Sequence, residues 1–105
     1  MFCTRFKNVP LITPASSPSI GENINGPTLM RVPDFVQNPL GKYYLYFAHH
    51  NGKSIRMAYA DSPAGPFTVY EPGALQLEDV ERPGGFFGHI ASPDIYVEAK
   101  EQRIY

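Results

Sequence analysis

Apolar and polar positions follow a strand-like pattern most clearly over residues 42–50 and 54–60. The first stretch, KYYLYFAHH, is dense in aromatic residues that suit a pleated, packed surface and predicts a strand. In the second, SIRMAYA, Ile55, Met57 and Tyr59 alternate with Ser54, Arg56 and Ala58, which predicts a strand with one apolar and one mixed face. Asn51 and Gly52 between them form a hairpin signal of the kind that favours positive φ at both central positions, so the two strands are expected to be antiparallel neighbours. An earlier strand is expected over residues 28–32, closed by Pro33, and a shorter edge strand over 67–71, after the turn DSPAGPF. Together they predict a four-stranded antiparallel meander over residues 28–71.

The flanks carry weaker patterns. Residues 1–27 hold Pro10, Pro14, Pro18 and Pro27 with no sustained period, which predicts an extended lead-in with a short strand near 9–12. Residues 72–88 predict a connection with a short strand-like piece at 74–77. A new strand is expected over 91–98, ASPDIYVE, followed by a turn and the opening of another at RIY. A strand that opens at Tyr105 has no expected partner, so the natural product is expected to continue. The two halves also echo one another: PTLMRV, turn, KYYLYF against PDIYVE, turn, RIY. The expected segments are thus a lead-in (1–27), a sheet (28–71), a connection (72–88) and the start of a second sheet (89–105).

Composition narrows the class. Eleven Pro and nine Gly in 105 residues signal frequent turns rather than long helices, and an all-β fold is expected. A formal net charge of -1 with scattered Lys and Arg builds no basic face for phosphates, so nucleic acid is not expected as a partner. No apolar run approaches the roughly 20 residues needed to cross a bilayer, and residues 1–14 lack the apolar core of a secretory signal, so a cytoplasmic location is expected by default. The single cysteine, Cys3, cannot form an internal disulfide.

A Pro-started strand, then GKYYLYF, then IRMAYADS running to GPF, and finally ASPDIY, resembles the first blade and second-blade opening of the five-bladed β-propellers of glycoside hydrolase family 43. The match spans about residues 22–105. The resemblance implies an all-β fragment of a propeller, one blade plus the start of a second, with a carbohydrate bound or hydrolysed in the channel and no cofactor. It also implies three channel carboxylates: a base at the first inner strand, an orienting and pKa-tuning Asp at the second, and a Glu acid in the third blade, beyond Tyr105. Glycosidic hydrolysis needs one carboxyl to protonate the leaving oxygen and another to activate water. A third raises the pKa of the acid by like-charge repulsion.

By that resemblance Asp94 takes the orienting role, with a strand-start Asp bonding nearby backbone as the structural alternative. The base is expected immediately before Pro27, where this chain has Gly26. Glu22 is a displaced candidate, and Asn23 and Asn25 can bind a sugar hydroxyl but cannot take a proton from water. Asp34 falls beyond the inner strand, toward its other end. The fragment alone is therefore expected to be inactive as a glycosidase, and carbohydrate binding without hydrolysis, or phosphate as external nucleophile, stands beside hydrolysis. A propeller used as a protein-interaction platform is a further reading.

Other polar candidates are Arg31, His49 and His89 as sugar contacts, His89 standing five residues before Asp94. His49 and His50 are adjacent, point to opposite strand faces and so are not expected to share a metal ion. Arg56 is expected to pair on the blade surface and Asp61 to fix a turn. A lone blade leaves both faces uncovered, so the isolated chain is expected to be poorly stable or self-associating.

Overall fold

The computed structural model describes residues 1–7, 10–49, 51–80 and 88–105. The chain is mostly β-sheet, with little helix. Strands β1 (Ile24–Arg31), β2 (Tyr43–His49), β3 (Ser54–Ala60) and β4 (Thr68–Gln76) form one antiparallel sheet in the order β1-β2-β3-β4. A one-turn helix, α1 (Leu77–Val80), follows, and β5 (Val97–Glu98) with β6 (Arg103–Ile104) makes a separate two-stranded ribbon. No closed sheet forms among the described residues.

The central pair follows the sequence pattern closely. β2 and β3 run in unbroken register from Tyr43 opposite Ala60 to Ala48 opposite Ile55. Residues paired across strands share a face, so Tyr44, Tyr46 and Ala48 lie with Tyr59, Met57 and Ile55. Tyr43, Leu45 and Phe47 lie on the other face with Ala60, Ala58 and Arg56. Tyr44 and Tyr46 stand edge to face, with ring centroids 6.4 Å apart. Burial, and secondarily the neighbouring Tyr44, raises the Tyr46 phenol above its ordinary pKa.

Several expected elements differ. Between the end of β2 at His49 and the start of β3 at Ser54, the Gly52 N–H donates to the His49 carbonyl at 2.8 Å and Gly52 adopts φ +66°. The connection is thus longer than the two-residue turn expected at Asn51 and Gly52, and Gly52 within it is left-handed. The lead-in is not extended: two 3₁₀ turns, Pro14–Ser16 and Pro18–Ile20, each start on a proline, whose fixed φ suits the first position of such a turn. Of the short strand expected near 9–12, Ile12 lies in a bend and Val9 falls outside the described residues.

The strand expected over 91–98 is confined to Val97–Glu98. Ser92 has φ +53°, Pro93 offers no N–H, and the Ile95 N–H is satisfied by the Asp94 carboxylate at 2.9 Å, so the backbone here has no ladder to join. RIY does have a partner: Arg103–Ile104 pairs with Val97–Glu98, and Tyr96 and Tyr105 exchange backbone hydrogen bonds of 2.9 and 2.8 Å.

Both outer strands carry bulges. In β1, Asn25 pairs with Ala48 and Thr28 with Tyr46, so Gly26 and Pro27 together oppose Phe47. With Gly26 at φ +57°, this is a bulge whose first residue is a left-handed glycine. In β4, Ile55 pairs with Leu75 and Met57 with Tyr70, so residues 71–74 stand opposite Arg56 alone. The strand expected to end at Glu71 instead resumes beyond Pro72 and Gly73, absorbing the piece expected at 74–77.

The core sits where the lead-in crosses the sheet. Ile20 is completely buried against Phe47 and Ala58, with Ile12, Ile24, Leu45, Phe67 and Val69 packed around them. Burying a side chain of this size contributes about 2 kcal/mol, so the second 3₁₀ turn is bound to the sheet as firmly as many core elements. Polar contacts fix its placement. The Arg56 guanidinium donates through Nη2 to Ser19 Oγ and to the Glu71 carbonyl, both at 2.8 Å, and the Ser17 hydroxyl donates to Glu71 Oε1 at 2.8 Å. Arg56, expected on the surface, is only 5% exposed. The β4 bulge explains this: it opens the ladder opposite Arg56 and turns a carbonyl toward the guanidinium.

Hydrogen bonds from Ser19 and Ser17, helped by the charge of Arg56 and opposed by desolvation, lower the Glu71 pKa from its ordinary 4.5. A lowered folded-state pKa contributes stability that is complete above the ordinary carboxylate value and lost as pH falls through the lowered one. Thermal melting followed between about pH 5 and about pH 3 should therefore show the native chain losing midpoint more steeply than Glu71→Gln; parallel curves would refute this role.

Candidate ligand site at the 49–52 end of the sheet

One end of the sheet gathers three stretches of chain. The β2–β3 loop closes it, the lead into β1 runs beside it at residues 21–25, and the segment 88–92 crosses over. Each junction rests on a glycine. A Cβ on Gly21 would collide with the His49 ring, meeting Cδ2 at 2.7 Å, and one on Gly52 would collide with the His89 ring. A Cβ on Gly26 would lie 2.9 Å from Ser92 Cα. The Ile90 N–H donates to the Gly52 carbonyl at 2.7 Å and ties the crossing segment to the loop.

Most of the sequence-predicted residues are placed around this end. His49 is half-buried on Gly21, and its Nδ1 accepts from the Asn51 N–H at 3.2 Å, which leaves Nε2 as the ring's donor when neutral. His89 is exposed and rests on Gly52. Asn25 pairs with Ala48 beside His49 and also lines an apolar groove of 570 Å³ with Ile24, Pro27, Leu29 and Leu45. Glu22 and Asn23 are exposed on the lead into β1. Asp94 is exposed two residues beyond Ser92, with one carboxylate oxygen held by the Ile95 N–H.

Arg31 is not part of this group. It ends β1, six residues from Asn25, which at ~3.3 Å per residue is about 20 Å away along the strand. His50 lies outside the described residues. No group of three or more His, Cys, Asp or Glu side chains suited to a metal ion occurs among the described residues.

Two contributors escaped sequence reasoning. Ser92 is an exposed non-glycine residue at φ +53°, a backbone state that costs about 1 kcal/mol or more outside glycine. Nothing in ASPDIY announces it. Gly26 reads in sequence as a missing carboxylate, yet its left-handed backbone and its contact with Ser92 make glycine a structural requirement there. The chemistry on offer is hydrogen bonding by amide, imidazole and hydroxyl groups with the carboxylates of Glu22 and Asp94, an array suited to holding a polyhydroxylated ligand.

No family model matches the chain, and no solved structure matches it. Over 89 residues the chain is 37% identical to an uncharacterized protein of Acanthamoeba polyphaga mimivirus, a match that takes in 72% of this chain and 25% of the viral protein. The chain thus spans about a quarter of the length of that relative.

Proposed function

We propose that the chain is the first blade and the opening of the second in a five-bladed β-propeller of the glycoside hydrolase family 43 type, and that it binds carbohydrate at the channel end of its first strand. The observation that carries this reading is the apposition of Gly26 and Ser92. It sets the start of the first inner strand against the ASPD phrase that opens the second blade in the resembling family. The four-stranded meander, whose two edges are β1, on the side of the propeller axis in this reading, and β4, on the side away from it, agrees with it. On this reading Asp94, Asn25, His49 and His89 contact the sugar.

Binding is favoured over hydrolysis. A carboxylate before Pro27 would need a Cβ only 2.9 Å from Ser92 Cα, so a base in that place requires the backbone at residue 26 or 92 to shift. Glu22, four residues earlier and exposed, has no partner among the described residues to hold it in a catalytic position.

Calorimetric titration of the protein against a panel of neutral oligosaccharides, beside Asp94→Ala, tests the proposal. Saturable binding that weakens at least about tenfold in the variant, about 1.4 kcal/mol, is expected. Absence of binding across the panel, or identical affinities of the two proteins, would remove its basis.

A further inference from the structure

Arg31, separated from the site above, belongs to a different cleft at the opposite end of the sheet. This cleft has a volume of 700 Å³ and lies between the end of β1, the loop 33–42 and the turn after β3. Arg31, Asp34, Lys42, Tyr43, Asp61 and Ser62 line it. Its charges are balanced, two cations against two carboxylates, yet among the described residues none of the four side chains makes an ion pair or hydrogen bond. The ion pair formed among the described residues is Arg103 with Glu101, far along the chain. The reason is spacing. Arg31 pairs with Tyr43, and Tyr43 with Ala60, so Arg31 and Asp61 spring from strands two apart, roughly 10 Å between backbones at ~4.8 Å per strand. The half-buried Tyr43 lies between them.

We propose that this cleft binds a small zwitterion, a molecule carrying an ammonium and a carboxylate, with Arg31 and Lys42 taking the carboxylate and Asp34 and Asp61 the ammonium. Arg presents a planar fork that matches a carboxylate in two parallel hydrogen bonds. A carboxylate receives an ammonium, and the Tyr43 ring offers an apolar wall for the methylenes between the charges. An anion alone would leave Asp34 and Asp61 without a partner and be repelled by them; a cation alone would meet the same opposition from Arg31 and Lys42. Only a ligand of both signs uses all four groups. A volume of this size lies within the roughly 300–1,000 Å³ of small-molecule sites. The proposal is independent of the carbohydrate reading.

The test is a titration of the isotope-labelled protein followed by amide NMR shifts. Glycine, 4-aminobutyrate and 6-aminohexanoate serve as zwitterions, acetate and ethylammonium as single charges, and glucose as a neutral polyol. At least one zwitterion is expected to give saturable shifts at Arg31 and Asp61, binding at least about tenfold more tightly than either single-charge probe. Arg31→Gln and Asp61→Asn, both at exposed positions and checked for native circular dichroism, are each expected to lower that affinity about tenfold or more. The proposal is overturned if no zwitterion gives saturable shifts in the cleft, if acetate or ethylammonium binds as well, if glucose alone binds, or if both substitutions leave affinity unchanged.

Discussion

Arg56→Ala is expected to lower the stability of the chain by about 3 kcal/mol, whereas Arg56→Met should cost less than about 1 kcal/mol. The contrast follows from what the buried guanidinium does and does not gain. It is 5% exposed, has no carboxylate within 4 Å among the described residues, and its Nε has no hydrogen-bond partner. Its two Nη2 hydrogen bonds offset only part of the desolvation penalty of a buried charge. The long aliphatic stem, packed between the lead-in and the β4 bulge, supplies the rest of its value, and methionine retains a stem of similar reach. Both substitutions leave the bulge carbonyl of Glu71 without its donor, but alanine also loses the stem and leaves a cavity. Urea unfolding of the three proteins decides the matter: equal losses for Met and Ala would show that the charge, not the packing, holds the lead-in down.

Gly26→Asp, the substitution that restores a carboxylate before Pro27, should destabilise by about 2–3 kcal/mol and confer no hydrolysis. Part of the cost is the left-handed backbone at φ +57°, and part is the collision of any Cβ with the Ser92 backbone. Both arise from the Cβ, so Gly26→Ala should cost nearly as much. The comparison separates steric from electrostatic effects. If Asp is tolerated while Ala is not, or if both are neutral, the apposition of residues 26 and 92 is not as described.

The sheet was legible where strands are regular. Residues 54–60 were bounded in sequence as they are in the fold, because alternation survives wherever one residue opposes one. It fails at a bulge. Gly26 and Pro27 together face Phe47, so the period breaks and β1 reads as starting four residues late. Pro72 and Gly73 read as a stop for the same reason, though they loop around Arg56 and the strand resumes. Arg56 reads in sequence as a surface residue because its burial depends on that loop and on Ser19, 37 residues away.

Of the candidate site, Asn25 reads as a polar residue beside the missing base before Pro27, His49 as the end of a strand and His89 as the entry to one, and the fold places all three around one loop. Position on the inner strand groups Arg31 with them in sequence, but a strand is long enough to carry its two ends to different clefts. Ser92 was invisible because a positive φ at serine leaves no mark on the sequence.

The two bulges share one more property: each contains a proline and each lies on an outer strand. A β-sheet recruits foreign strands through an unbroken row of unpaired backbone groups along its rim. β1 offers such a row only over Thr28–Arg31, and β4 is split into Thr68–Tyr70 and Leu75–Gln76, while the uninterrupted strands β2 and β3 are sealed inside. Neither rim is a good template, so this sheet resists fibre-like growth by strand addition and is left to associate with other sheets through its faces.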